Sequence, residues 1–258
     1  NTTGSYHTAV GEGALDANTT GQRNTAMGYA ALGANTTGER NTAIGFGSLQ
    51  SNTTASYNTA IGYDTLATNS TGNQNVALGY NVLASNSTGS ENVGIGYAAL
   101  QVATGSSNVA VGRNALDALT SGANNVAIGC DALTAQTTSS GIVAIGKSAG
   151  SALTTGGSNT LVGHFAGFAI TTATENTAVG YEVLRNITGG SNTAIGRRAM
   201  YGSTGGAARN VAVGENAMAT ITTGAENIAV GKNALLDLTT ADGNIGIGYN
   251  AGQNITTG

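Results

Sequence analysis

A five-residue segment, Asn41-Thr42-Ala43-Ile44-Gly45, recurs through the whole chain with small changes. Its copies begin at residues 7, 24, 41, 58, 75, 92, 108, 125, 142, 159, 176, 192, 210, 227 and 244, and eleven of the fourteen intervals equal 17. A short fixed period is typical of a solenoid, in which each repeat forms one coil and stacks on the next. Seventeen residues suit a coil of a β-solenoid better than a helical or leucine-rich repeat.

Each repeat is numbered here from position 1, which is Asn in thirteen of the fifteen repeats. Positions 2 to 4 read Thr-Ala-Ile or Val-Ala-Val and predict a short strand. Position 9 is usually Leu, and positions 13 to 15 tend to be Thr-Thr-Gly, which is a turn signal. The sequence therefore predicts an all-β fold, a parallel β-solenoid (β-roll) of about fifteen 17-residue coils. A single repeat domain is expected over residues 1–258.

Two positions have residue types that predict structural roles. Position 5 is Gly in every repeat, which indicates a corner with positive φ or a close backbone approach. Asparagines at position 1 can stack from coil to coil, each amide donating to the next. The corner residues include Gly28, Gly45, Gly62, Gly79 and Gly129. The ladder residues include Asn24, Asn41, Asn58, Asn75 and Asn125.

The alternation along the strand raises the question of which side chains face inward. If Ile44 at position 4 points into the coil, position 3 points outward. Position 3 is Ala almost everywhere, apart from Gly94, Gly246 and the larger Leu161. An outward position without polar residues predicts packing against another chain, and hence a homo-oligomer.

Position 6 is the best candidate for a surface contact. It tolerates charges of either sign in the later repeats, which indicates that it faces solvent. In the early repeats it is aromatic, and these residues form a candidate receptor-contact stripe: Tyr29, Phe46, Tyr63, Tyr80 and Tyr97. The rings could offer their faces to sugar rings, or they could simply stack on one another.

Position 12 is Asn in the early repeats and Leu or Ile in many later ones, which predicts an inward position. Its asparagines also head glycosylation sequons. They are Asn18, Asn35, Asn52, Asn69 and Asn86. Because an inward side chain is inaccessible to glycosylation, we favour an internal Asn ladder.

Positions 13 and 14 place pairs of threonines at the rung spacing of a stacked sheet. A flat array of this kind could order water or bind ice, although turn chemistry explains the same residues. The candidate array contains Thr36, Thr37, Thr137, Thr138, Thr154, Thr155, Thr171 and Thr172.

Charge and residue distribution exclude several classes of function. A formal net charge of −4 gives no basic field for nucleic acid or anionic membranes, and no apolar run is long enough to span a bilayer. Solenoids that bind metal repeat an Asp in each coil, and this chain does not, so neither a metal nor a cofactor is expected. The chain begins and ends inside the repeat, which predicts a portion of a longer fibre protein.

Catalytic patterns are poorly supported. Residues 141–148 fit a phosphate-loop expression and residues 146–150 a nucleophile elbow, but both patterns need a helix after the strand, and none is predicted. His7 and His164 are nine coils apart, and the acids are scattered, with Asp117 and Asp131 in neighbouring coils. A glycosidase needs two facing carboxylates. We predict no enzymatic activity, with a tailspike-like polysaccharide hydrolase as the lowest-ranked alternative.

The repeats Asn-Thr-Ala-Ile-Gly and Asn-Val-Ala-Ile-Gly resemble the head repeats of YadA-like trimeric autotransporter adhesins and repeats of the same pattern in phage tail fibres. The resemblance implies a left-handed parallel β-roll wound as a homotrimer and used for host attachment, outside the cell, on the cell surface or on a virion. It also implies a cell-surface glycan or protein receptor and carries over no catalytic residue. The family head repeat is shorter, so the extra Thr-Thr-Gly segment is expected to add a wider corner or a third side here. A ligand-binding solenoid that uses the Thr array or the Tyr stripe is the first alternative.

Overall fold

The computed structural model describes residues 3–202 and 205–257 and confirms a parallel β-solenoid with coils of about 17 residues. Each coil contributes one short strand, and within residues 3–125 and within residues 126–257 this strand pairs in parallel and in register with the strand of the next coil. Ala43, for example, lies opposite Ala26 on one side and Ala60 on the other. The described residues contain no helix.

The chain divides into two units, Asn1–Asn125 and Val126–Gly258, and strand order follows the sequence within each. The N-terminal unit contains β1 (Thr8–Val10), β2 (Thr25–Met27), β3 (Thr42–Ile44), β4 (Thr59–Tyr63), β5 (Val76–Tyr80), β6 (Val93–Tyr97) and β7 (Val109–Val111). The C-terminal unit contains β8 (Val126–Ile128), β9 (Val143–Ile145), β10 (Thr160–Val162), β11 (Thr177–Val179), β12 (Thr193–Ile195), β13 (Val211–Val213), β14 (Ile228–Val230) and β15 (Ile245–Ile247).

Hydrogen bonds between coils continue beyond the strands. The backbone N–H of Leu32 at position 9 donates to the carbonyl of Ser48 in the next coil at 3.0 Å. At position 13 the N–H of Thr36 donates to the carbonyl of Thr53 at 2.9 Å. Buried backbone groups must be paired, and stacking pairs them on several sides of the coil.

Side-chain directions along the strand are the reverse of those predicted. The alanines at position 3, such as Ala43 and Ala60, are fully buried inside the coil, whereas Ile61 at position 4 is 37% exposed. The interior beside position 3 is narrow, because a methyl group on Gly94 would lie 2.5 Å from Cγ1 of Val82. Position 3 therefore faces the interior of its own solenoid, where the space left by residues of the same and the neighbouring coils favours a small side chain. The inference that it packs against another chain is wrong.

The core is filled from positions 9 and 12. Leu32 and Leu49 at position 9 are fully buried, as are Asn35 and Leu153 at position 12. The sequence prediction that position 12 faces inward is confirmed for these residues. Most coils thus combine large side chains from their later half with alanine from their strand.

The glycine at position 5 is required by both backbone conformation and space. Gly129 has a φ of +139°, a region that L-residues with a side chain rarely adopt. A methyl group on Gly129 would also lie 2.5 Å from the carbonyl oxygen of Gly146 in the next coil. The invariance of this position follows from these two constraints together.

Candidate surface sites

The asparagines at position 1 form hydrogen bonds between and within coils. Oδ1 of Asn41 accepts the backbone N–H of Asn58 at 2.9 Å, and Nδ2 of Asn41 donates to the carbonyl of Ala55 in its own coil at 2.8 Å. The donor to Oδ1 is thus a main-chain N–H, where the sequence suggested a side-chain amide. In later repeats a side-chain amide also donates to this oxygen: Nδ2 of Asn125 donates to Oδ1 of Asn108 at 3.1 Å. These buried bonds close each coil and tie it to the next.

A second Asn ladder runs through position 12 of the N-terminal unit. Nδ2 of Asn35 donates to Oδ1 of Asn18 at 2.8 Å, and Nδ2 of Asn52 donates to Oδ1 of Asn35 at 2.7 Å. Their side chains are buried. This geometry favours the internal ladder over glycosylation, because an enzyme would have to reach an amide that is already hydrogen-bonded in the core.

The position-6 aromatics of the N-terminal unit form a continuous exposed stack, called here the aromatic ladder: Tyr29, Phe46, Tyr63, Tyr80 and Tyr97. Successive ring centroids are 5.0, 5.1, 5.1 and 5.2 Å apart, with interplanar angles of 13°, 7°, 9° and 3°. All five side chains are exposed, and Tyr63 is 43% exposed. In β4, β5 and β6 the strand extends to the aromatic residue, which fixes the rings in register.

Stacking decides which parts of the rings a ligand can reach. Neighbouring rings cover both faces of Phe46, Tyr63 and Tyr80, so these faces are not available to sugar rings. The ring edges and the phenol hydroxyls remain. None of the ladder hydroxyls forms a hydrogen bond with the described residues, which leaves them available to an external partner.

The threonine pairs have two different environments. At position 13, Oγ1 of Thr154 donates to the carbonyl of Thr171 at 3.0 Å, and Oγ1 of Thr36 donates to that of Thr53 at 3.0 Å. At position 14, Thr37 and Thr155 are exposed. The hydroxyls of Thr36 and Thr154 are therefore hydrogen-bonded to the backbone of the next coil, whereas the position-14 threonines form an outward column, in which the hydroxyls of Thr37 and Thr155 make no such bond with the described residues.

An ion-pair cluster in the C-terminal unit centres on Glu182, which is buried. Oε2 of Glu182 accepts from Nε of Arg198 at 2.7 Å, and Oε1 lies 3.4 Å from a guanidinium nitrogen of Arg185. The hydrogen bond to Glu182 raises the pKa of Arg198. The Arg185 guanidinium also lies 5.4 Å from the ring centroids of Phe165 and Phe168. Because Glu182 binds Arg198 of the next coil and Arg185 of its own coil, the cluster links neighbouring coils.

A second cluster is more exposed. Glu215 forms ion pairs with Arg197 at 2.8 Å and with Lys232 at 3.2 Å, so one carboxylate joins three successive coils. The hydrogen bonds from Lys232 and Arg197 lower the pKa of Glu215. The side chains of Arg197 and Glu215 are partly exposed, so these ion pairs lie at the solvent-facing surface.

The surface that sequence reasoning missed is the outer sheet face, defined as positions 2 and 4. Its position-4 column contains, in the N-terminal unit, Val10, Met27, Ile44, Ile61, Leu78, Ile95 and Val111, and in the C-terminal unit Ile128, Ile145, Val162, Val179, Ile195, Val213, Val230 and Ile247. Ile195 is 41% exposed. Neither position holds a charged residue in any repeat. The varied size at position 4, from Val to Met, was the signal of an open environment.

Other kinds of site find no support in the described residues. In residues 3–202 and 205–257, no group of three or more His, Cys, Asp or Glu side chains is placed to hold a metal ion. Within the same ranges no helix has the length and apolar character to cross a bilayer. No protein-family model matches the chain, and no curated protein matches it either.

Proposed function

We propose that this solenoid is the repeat region of a left-handed homotrimeric fibre that attaches to surfaces, displayed on a cell or on a virion. The observation that carries the proposal is the outer sheet face. Isolated exposed apolar side chains are ordinary, but a column of apolar side chains at position 4, flanked only by uncharged Thr, Val or Ile at position 2, is typical of an interaction surface. The handedness, the threefold assembly and the attachment role follow the resemblance of the repeats to those of adhesins and tail fibres.

A second copy of the same chain is the partner that fits this face best. Neighbouring coils are about 4.8 Å apart, the spacing of paired strands. A partner with the same period can place one apolar side chain against each coil, whereas a partner with another period falls out of register after a few coils. Burial of apolar area drives such association, at about 25 cal/mol per Å² removed from water.

Sedimentation analysis of the chain with charged substitutions on the outer sheet face tests the assembly. The wild-type chain is expected to sediment with three times the chain mass. The double variant Ile61→Lys/Ile195→Lys is expected to be a folded monomer, because two lysines per chain would have to be desolvated in the interface. The matched control is Thr54→Lys/Thr155→Lys, which places the same charges at position 14 and is expected to remain trimeric. A monomeric wild type, or a face variant that remains trimeric, would contradict the proposal.

Surface attachment and location are tested separately. Immunogold labelling of intact source cells and of virions is expected to place the chain outside the cell or on the particle. Labelling confined to the cell interior would contradict the proposed location.

The exposed Thr column at position 14 favours one alternative, an ice-binding solenoid. Thermal hysteresis measured on the isolated chain separates the two functions. The fibre proposal expects none, and hysteresis that Thr37→Lys/Thr54→Lys abolishes would favour ice binding.

A further inference from the structure

We infer that the aromatic ladder binds an extended, uncharged, β-1,4-linked polysaccharide, aligned along the stack and held by the phenol hydroxyls. This inference rests on the proposed role in surface attachment and names the class of receptor. It differs from ordinary sugar binding by aromatic residues, in which a ring face covers a pyranose ring. Here the inner ring faces are covered by neighbouring rings, so recognition has to occur at the edges of the stack.

The spacing of the ladder selects the ligand. Ring centroids advance by 5.0 to 5.2 Å per coil over five consecutive coils. An extended β-1,4-linked pyranose chain advances by nearly the same distance per sugar and presents hydroxyl groups along both edges. Such a chain can therefore offer one sugar to each coil. Tyr63, Tyr80 and Tyr97 supply three consecutive hydroxyls, and Tyr29 supplies a fourth beyond Phe46.

The same spacing disfavours an extended peptide. A β-strand rises about 3.3 Å per residue, so side chains on one face recur at roughly 6.6 Å. That repeat drifts out of register with the ladder within a few coils. Helical α-linked glucans change direction along their length and lose contact with a straight stack.

Charge disfavours polyanions. The five ladder residues carry no charge, and the chain has a formal net charge of −4. The residues that follow Tyr63 and Tyr80 are Asp64 and Asn81, both partly exposed. Their side chains form no hydrogen bond with the described residues. A carboxylate and an amide that directly follow ladder residues in the chain suit a neutral ligand rich in hydroxyl groups, and the carboxylate repels nucleic acid or sulfated glycans.

The hydroxyls along the stack would act together. A single phenol–sugar hydrogen bond contributes little net affinity, because each partner gives up water. Ligands that engage several coils at once gain from multivalency, since each later contact forms at a high effective concentration. Affinity is therefore expected to rise with the number of sugars until the ligand spans the ladder.

Isothermal titration of the full chain with cello-oligosaccharides of increasing length, together with sedimentation of the chain with insoluble cellulose and chitin, tests the inference. The variant Tyr63→Phe/Tyr80→Phe/Tyr97→Phe removes three hydroxyls and keeps the stacked rings. We expect it to bind cellohexaose at least about ten-fold more weakly than the wild type. Tyr181→Phe is the matched control, because Tyr181 is equally exposed at 43% but lies outside the ladder. It is expected to bind like the wild type.

Three results would overturn the inference: no binding of any β-1,4-linked ligand, unchanged binding by the triple variant, or equal binding of maltohexaose, the α-linked counterpart. The assembly proposal is judged on a different observable. Sedimentation of the triple variant without ligand reports whether the trimer persists. Loss of glycan binding with an intact trimer would be a failure of this inference alone.

Discussion

Leu161 occupies the space that Gly150 leaves open. A methyl group on Gly150 would lie 2.8 Å from Cδ1 of Leu161, and Leu161 is fully buried. Leu161 stands at position 3, where other coils have Ala or Gly, and Gly150 stands at position 9, where most coils have Leu. Gly167 lies at position 9 of the same coil as Leu161 and leaves space for its other methyl group. A methyl group placed on Gly167 would lie 2.8 Å from Cδ2 of Leu161.

The core therefore stays filled although the large residue stands at position 3 here and at position 9 in most coils. Protein interiors are close-packed, so a leucine can enter position 3 only if volume is removed nearby. The two glycines remove that volume. The pairing connects residues that are far apart within the repeat, and it shows that position 3 faces position 9 across the core.

Leu161→Ala is expected to destabilise the C-terminal unit by about 2–5 kcal/mol, because neither Gly150 nor Gly167 can fill the cavity. The double variant Leu161→Ala/Gly167→Leu restores the usual pattern of the coil and is expected to regain part of the loss. Position 9 accepts leucine at a similar φ, +50° at Leu49 against +60° at Gly167. Amide hydrogen exchange of the coils around residue 161 is the measurement, since it reports local opening in a repeat protein. Amide exchange rates that do not change in Leu161→Ala would contradict the claim that Leu161 fills the space left by the two glycines.

Gly129→Ala is expected to be strongly destabilising. The backbone conformation alone costs about 1–3 kcal/mol for a residue with a side chain, and the contact with the carbonyl of Gly146 adds to it. Gly206→Ala is the matched control, since a methyl group there meets no atom within 4 Å. The control is expected to change stability by about 0.5 kcal/mol in either direction. Denaturation midpoints of the two variants give the comparison, and equal midpoints would contradict the role of the position-5 glycine.

Asn58→Ala is expected to cost about 1–3 kcal/mol, because the buried N–H of Asn75 loses its acceptor. That N–H donates to Oδ1 of Asn58 at 2.9 Å. Asn81→Ala is the control: the Asn81 side chain forms no hydrogen bond with the described residues, and Ala98 occupies the same position in the next coil. Hydrogen exchange at the amide of residue 75 should accelerate in the first variant and not in the second. Protection of that amide in Asn58→Ala would rule out the ladder as its acceptor.

Glu215 is expected to make stability depend on acid pH. Its pKa is lowered from 4.5 in the folded protein, so its ion pairs contribute fully above the unfolded pKa, and the contribution is lost as pH falls through the folded pKa. The stability advantage of the wild type over Glu215→Gln should therefore shrink as the pH falls below about 4.5, and it should also shrink at high salt. Glu12→Gln is the control, since Glu12 forms no ion pair with the described residues. A Glu215→Gln variant whose deficit stays constant with pH would contradict this linkage.

The sequence was sufficient for the period, the parallel strands and the inward position of residues such as Asn35 and Leu153. A fixed repeat length predicts the length and the parallel stacking of the coils, because each coil must pair with its neighbours. The stacking of Tyr63 on Tyr80 was one of two alternatives, since equal spacing along the chain brings equal residues together. Nothing in the pattern at position 9 indicated that leucines such as Leu49 adopt a positive φ of +50°. Their burial offsets a conformation that such residues otherwise avoid.

The direction of the strand faces was decided only by the tertiary structure. Alternation separates Ala43 from Ile44, but it does not say which of the two faces the core. The width of the interior decides this, and that width depends on residues elsewhere in the repeat and in the neighbouring coil, such as Val82 beside Gly94. The sequence by itself determined that a strand recurs in every coil and what its residues are. Packing across the coil determined that alanine lies inside, and it thereby left the larger apolar residues on the outside, where a partner can reach them.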